Sequence, residues 1–419
     1  LSGGTARNLG LTAMRSTALL GWSGRSAAPD PREVRARIVR GSDLVEPVCE
    51  PLPHAGAGWS MLLRGGQDPP WIAWVEPSGP DHASEAPPEI AGAPWVLGVE
   101  TLLGDPSRPE SWLERYRSMA RVLGECGAGE AMLDPTTGRW FAGGTLRDLC
   151  AGDAEPSLDL LWSVRVARRA GSHLAWIATE GLQRCGRLEL EMIEVPHELA
   201  DAAAATIDAL AALLVEGGAA TGTAWQVGPR HQVALRTVQE AIEKLAPGAP
   251  GSLEDRRRAS AGEDPSLADR AVVCDPRPRG AWTEGWVPPV DLLREVAAGT
   301  VAIYRGRHER ERVRRLAARS REDLARLSER HGSATDPPPG RLRVAIDHAE
   351  GSCWMEVVGR AASGVLGQAI DVDGRALSGS PAEIVPWSAV IDWEWTLPEG
   401  RFGPTDVAAL RQALEDPPR

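Results

Sequence analysis

A chain of 419 residues with 42% hydrophobic and 25% charged residues has room for two or three domains with true cores and the composition of a soluble globular protein. Its formal net charge of −12 argues against general binding to nucleic acid or to anionic membrane surfaces. The six cysteines (Cys49, Cys126, Cys150, Cys185, Cys274 and Cys353) form no CxxC, which argues against zinc fingers, thioredoxin motifs and dense disulfide frameworks and fits a reducing cytoplasm.

Residues 1–28 carry arginines and no acid, a faint likeness to a transit peptide, but the apolar run 18–22 is too short for a signal-peptide core. Residues 1–13 are therefore expected to be disordered. A first strand is expected over 17–22. Asp30-Pro31-Arg32-Glu33 is a helix start, with Asp as N-cap, Pro in the first turn and Glu at the third position. Segments 59–63 and 71–75 read as a hairpin, 77–94 as a proline-rich loop and 95–101 as a strand. Trp112, Tyr116, Met119 and Leu123 form one stripe of a helix over 109–123. A second hairpin spans 130–142 about Asp134-Pro135-Thr136-Thr137-Gly138.

The richest stretch is 160–196. Segments 160–166 and 174–178 read as strands joined by a turn at 168–172, and 188–193 alternates Leu188, Leu190 and Met192 against Glu189 and Glu191. That period of two predicts a half-buried strand with its two glutamates on a wet face, as the carboxylates of antiparallel strands commonly are. Two carboxylates at i and i+2 lie about 6–7 Å apart, a spacing that also suits an acid/base pair or a shared cation. His173, beside a turn, reads as a surface histidine.

Pro196 opens a helix over 197–215, and a second helix is expected to carry Leu235, Val238, Ile242 and Leu245. Residues 247–270, rich in Gly, Pro, Ser and charge, read as an exposed loop, followed by a short helix at 291–297. Residues 305–330 hold ten arginines against five acids. Val313, Leu316, Ala317, Leu324 and Leu327 make one apolar stripe there, and the interleaved acids favour a solvated helix face over phosphate docking. Residues 333–340 read as a linker. Strands are expected at 341–346, 353–358, 365–369, 384–387 and 390–395, then a helix at 406–414 capped by Thr405. No later apolar run approaches the length of a membrane span.

The expected architecture is α+β: mixed or antiparallel sheets with packed helices, then a small curled β-sheet or barrel with a terminal helix. The expected divisions are 1–13 disordered, 14–150 α+β, 151–332 α+β ending in the Arg-rich helix, 333–340 linker and 341–419 a small β-rich module.

The C-terminal module resembles the bacterial YegJ-like domain of unknown function through Cys353-Trp354-Met355-Glu356-Val357, Val365-Leu366-Gly367 and Ile391-Asp392-Trp393-Glu394-Trp395. The central stretch is similar to the region upstream of that domain in larger uncharacterised bacterial proteins, at Trp176 to Leu182 and Gly186 to Glu191. Where those relatives carry histidines around the threonine, this chain has Ala178 and Glu180. The resemblance implies kinship and no particular activity.

HExxH, GxSxG, Walker and dinucleotide fingerprints are missing. Gly127-Ala128-Gly129 is part of a GxGxxG with Met132 in the last glycine's place, and Ser23 lacks elbow spacing. Lys244 is the only lysine and follows no Gly-rich loop; 16 tryptophans against four Phe and Tyr reflect a GC-rich codon bias. The eight histidines show no ligand spacing, so neither metal nor cofactor is expected. Two functions are compatible with these residues. The favoured one is a non-catalytic cytoplasmic protein that binds another protein, with Trp176, Trp354, Trp393 and Trp395 as candidate contacts, no membrane partner, and nucleic acid only through the alternative of the 305–330 helix. The alternative is a hydrolase built on Glu189 and Glu191, aided by Thr179 or Glu180.

Overall fold

A computed structural model describes residues 14–415 except 43, 45–46, 54–56, 67, 80–86, 88–89, 91, 105–108, 146–156, 170, 218–223, 229, 244, 247, 260–266, 268, 277–286, 299–300, 302, 305, 332–338, 349–350, 362, 372–374 and 378. The expected disordered start, Lys244, Cys150 and most of the 333–340 linker lie outside the described residues. The fold is α+β with three sheets, and the chain divides into two compact units, Leu1–Ala297 and Ala298–Arg419.

The first unit opens with β1 (Thr17–Ser23), α1 (Pro31–Arg40), β2 (Val48–Leu52), β3 (Trp59–Arg64), β4 (Trp71–Pro77), β5 (Trp95–Thr101), α2 (Pro109–Glu125), β6 (Ala131–Asp134) and β7 (Arg139–Ala142). The strands form one sheet in the order β2-β3-β4-β5-β1-β6-β7, antiparallel throughout. Asp30 caps α1 as its sequence predicts, accepting from the Arg32 amide at 2.8 Å. The stripe Trp112, Tyr116, Met119 and Leu123 is fully buried, and α2 packs along β1 and β5. Gly21 permits that approach: a Cβ there would lie 2.3 Å from the Ala128 carbonyl oxygen. The unpredicted strand β2 is an edge strand interrupted by Pro51, which hides it from pattern reading.

The same unit continues with β8 (Ser163–Arg168), β9 (Leu174–Glu180), β10 (Glu189–Pro196), α3 (Ala200–Gly217), β11 (Ala224–Gln226), β12 (Gln232–Thr237), α4 (Val238–Ile242), α5 (Leu253–Ala259), β13 (Arg270–Cys274) and α6 (Val290–Ala297). Its sheet runs β11-β12-β13-β10-β9-β8, with β10 and β13 parallel and the other neighbours antiparallel. α3 lies along β8, β9 and β10.

Three expectations are corrected here. Leu158–Leu161 is a 3-10 turn, not the start of a strand, because a short apolar run fits a buried turn equally well. Leu235 belongs to β12, not to a helix; only Val238–Ile242 coil. The expected loop over 247–270 contains α5, and Arg256 within it is only 3% exposed.

The second unit contains α7 (Arg307–His331), β14 (Arg341–His348), β15 (Gly351–Ala361), β16 (Gly364–Ala369), β17 (Glu383–Pro386), β18 (Val390–Leu397), β19 (Gly400–Phe402) and α8 (Val407–Glu415). The strands form a curled, half-barrel antiparallel sheet in the order β17-β16-β15-β14-β18-β19. The Arg-rich helix packs on this sheet and does not close the middle region: Ala317, Leu324 and Leu327 join Val344, Met355, Trp393 and Trp395 in one core. Arg310, Arg314, Arg315, Arg319, Arg326 and Arg330 are exposed, whereas Arg321 is half-buried and donates to the Val390 carbonyl of the sheet at 2.8 and 3.0 Å. Asp406, one residue later than the expected Thr405, stands before α8; its carbonyl accepts from Leu410 and its carboxylate from the Gly403 amide.

Candidate functional site

The carboxylate pair sits in the interior. β10 runs between β9 and β13, so it is a central strand. Leu188, Leu190 and Met192 are buried as expected, but Glu189 is 3% exposed and Glu191 not at all. The expectation of a wet acidic face is therefore wrong. Alternation marks the chemical difference between two faces, and here the acidic one is covered by α5 and its arginine in place of water.

Glu189 organises the crossing from β9 to β10. Its Oε2 accepts from the Thr179 hydroxyl at 2.7 Å, and its Oε1 from the amides of Gly181 (2.8 Å) and Gln183 (3.2 Å). The crossing is a 3-10 turn, Leu182–Cys185, flanked by Gly181 (φ 116°) and Gly186 (φ 65°). Gly181 is required twice over, by its positive φ and by the Leu161 carbonyl oxygen, 2.5 Å from where a Cβ would lie. A carboxylate that takes three donors in this way fixes a turn.

Glu191 is held by four bonds. Arg256 approaches end-on, Nη1 to Oε1 at 2.7 Å and Nη2 to Oε2; Arg270 Nη1 reaches Oε1 at 2.8 Å; and the Trp176 indole donates to Oε2 at 3.1 Å. The Arg256 guanidinium also stacks 4.8 Å from the Trp176 ring centre. Burial alone would push the Glu191 carboxyl up, but Arg256 and Arg270 outweigh it and hold it below the usual carboxylate range.

A second buried ion pair joins the two sheets of this unit. Arg184, on the turn that Glu189 fixes, forms two 2.9 Å bonds to Asp134 at the end of β6. The pair is 1% and 0% exposed. Tyr116 of α2 donates to Asp134 at 3.1 Å, and the amides of Thr136 and Thr137 close the remaining positions. Desolvation and the Asp134 charge together push the Tyr116 hydroxyl well above its ordinary pKa. Nearby, Arg187 donates to the carbonyls of Leu214 and Val215 and so closes the C-terminal end of α3.

The other sequence candidates separate. Thr179 is buried against Glu189. Glu180 is 27% exposed and pairs with Arg165 at 2.7 Å; desolvation pushes its carboxyl up in spite of Arg165 and Arg270. Trp393 and Trp395 are core residues, 1% and 0% exposed, donating to Ser320 and to the Pro339 carbonyl, so they are not surface contacts. Their alternation with Asp392 and Glu394 marked the inner face of the half-barrel. Trp176 and Trp354 are half-buried. Sequence reading missed Asp134, Arg184, Arg256 and Arg270, all more than 40 residues from their partners. Their one available signal was the need of a buried carboxylate for a cation.

A general base needs an acceptor atom open toward a substrate. Glu189 and Glu191 instead direct their oxygens at protein donors. Among the described residues, no three His, Cys, Asp or Glu side chains are grouped so as to hold a metal ion. Among those residues, too, no helix is long and apolar enough to cross a membrane.

The family described as Protein of unknown function (DUF4026) C-terminal matches residues 164–267, roughly a quarter of the chain. The matched range contains Thr179, Glu180, Glu189, Glu191 and Arg256, and stops short of Arg270 and β13. No curated protein and no solved structure matches the chain.

Proposed function

We propose that this is a non-catalytic protein of the bacterial cytoplasm that binds another protein, in toxin immunity or a related conflict role, and that its C-terminal unit is a YegJ-like domain. The observation that carries this reading is the internal saturation of Glu189 and Glu191 by Thr179, the turn amides, Arg256, Arg270 and Trp176. A hydrolase built on these acids would have to break the bonds that hold its own sheet.

Strand addition at β2 and β17 is disfavoured. The exposed Val48 and Ile384 lie on the edge strands β2 and β17, and each of those strands carries a glutamate and a proline. Both devices discourage pairing with a foreign strand. A protein is preferred to nucleic acid as the partner, a reading supported by the net charge of −12 and by the pairing of Arg312, Arg314, Arg326 and Arg330 of α7 with Glu309, Asp347, Glu322 and Glu415. The function invokes no cofactor.

Affinity purification of the tagged full chain from its native cell tests the proposal. One protein recovered in stoichiometric amount, and retained by a Glu180→Gln variant, is the expected result. Repeated recovery of none, together with hydrolysis of a test ester or peptide that Glu180→Gln abolishes, would overturn it.

A further inference from the structure

We draw no further inference here: the strongest candidate, the apolar row of Val358, Leu366 and Ile384 across β15, β16 and β17 at the edge of the C-terminal sheet, carries nothing because no feature of the structure shows what covers it.

Discussion

Arg256 and Glu191, 65 residues apart in the chain, meet as a two-pronged ion pair with side chains 2% and 0% exposed. Removing one member leaves the other charged and buried. Glu191→Met or Arg256→Met alone is expected to lower the unfolding free energy by about 3–5 kcal/mol. The double variant should recover part of that loss, since Arg270 is 22% exposed and can turn to water. Urea unfolding of the four proteins measures the coupling. Strictly additive losses would show that the two side chains do not act as a pair.

The acid dependence of stability separates Glu191 from Glu180. The folded Glu191 carboxyl titrates below its unfolded value, because its two arginines outweigh burial. Its contribution is therefore complete above about pH 4.3, the ordinary glutamate value, and is lost as pH falls through the lower folded value. Glu180 has the opposite sign: burial raises its pKa, so its ionised form costs stability above the raised value, and protonation relieves that cost. Thermal melts should show Glu191→Gln less stable than the parent at pH 7, with the gap narrowing in acid. Glu180→Gln should be unchanged or slightly more stable at pH 7, by less than about 1 kcal/mol, with the difference vanishing in acid. A Glu180→Gln variant clearly destabilised at pH 7 would contradict the assignment.

Periodicity made most of the strands legible, because in both hairpins of the first sheet and in every strand of the C-terminal sheet except the three-residue β19 one face is apolar and the turns carry Gly, Pro or Asp. It also placed α2 and α3, whose buried stripes follow the helical spacing. What it could not supply was the identity of the second layer. The Leu188–Met192 alternation reads the same whether water or Arg256 lies over the glutamates. The Gly-, Pro- and charge-rich composition around Arg256 gives the signature of a loop even though a turn of helix there is anchored in the core. The Arg-rich helix was legible as a helix with a stripe, but the sheet that accepts the stripe follows it in the chain, and spacing alone does not say which side a helix joins.

Glu194 is the non-glycine residue with positive φ among the described residues, 54°, where the β9–β10 register shifts. A side chain in that conformation costs roughly 1–2 kcal/mol, and a glycine in a strand costs roughly 0.5–1 kcal/mol. Glu194→Gly is expected to raise stability by up to about 1 kcal/mol, read from the urea midpoint. Burial also pushes the Glu194 carboxyl up, so removal of its charge works in the same direction at neutral pH. A loss of stability would mean that the carboxylate holds something the strain is offset by.

The DUF4026 match ends at residue 267, but β13, residues 270–274, stands between β10 and β12 in the sheet. Without it the β11–β12 hairpin loses its link to β10 and the rest of the sheet, and Glu191 loses Arg270. A chain ending at 267 is expected to show no cooperative urea transition, whereas one ending at 297, the limit of the first compact unit, should unfold in a single step. Equal cooperativity in both would show that the first unit folds without β13.

The Arg184–Asp134 clasp restricts how this protein can be rearranged by recombination. A gene fusion that exchanged the leading sheet for another lineage's would bring in a new neighbour for Arg184, and unless that neighbour offered a carboxylate at the same spot the guanidinium would be stranded in the interior. Shuffled descendants should therefore inherit the two sheets together, as a single heritable block whose seams lie outside them.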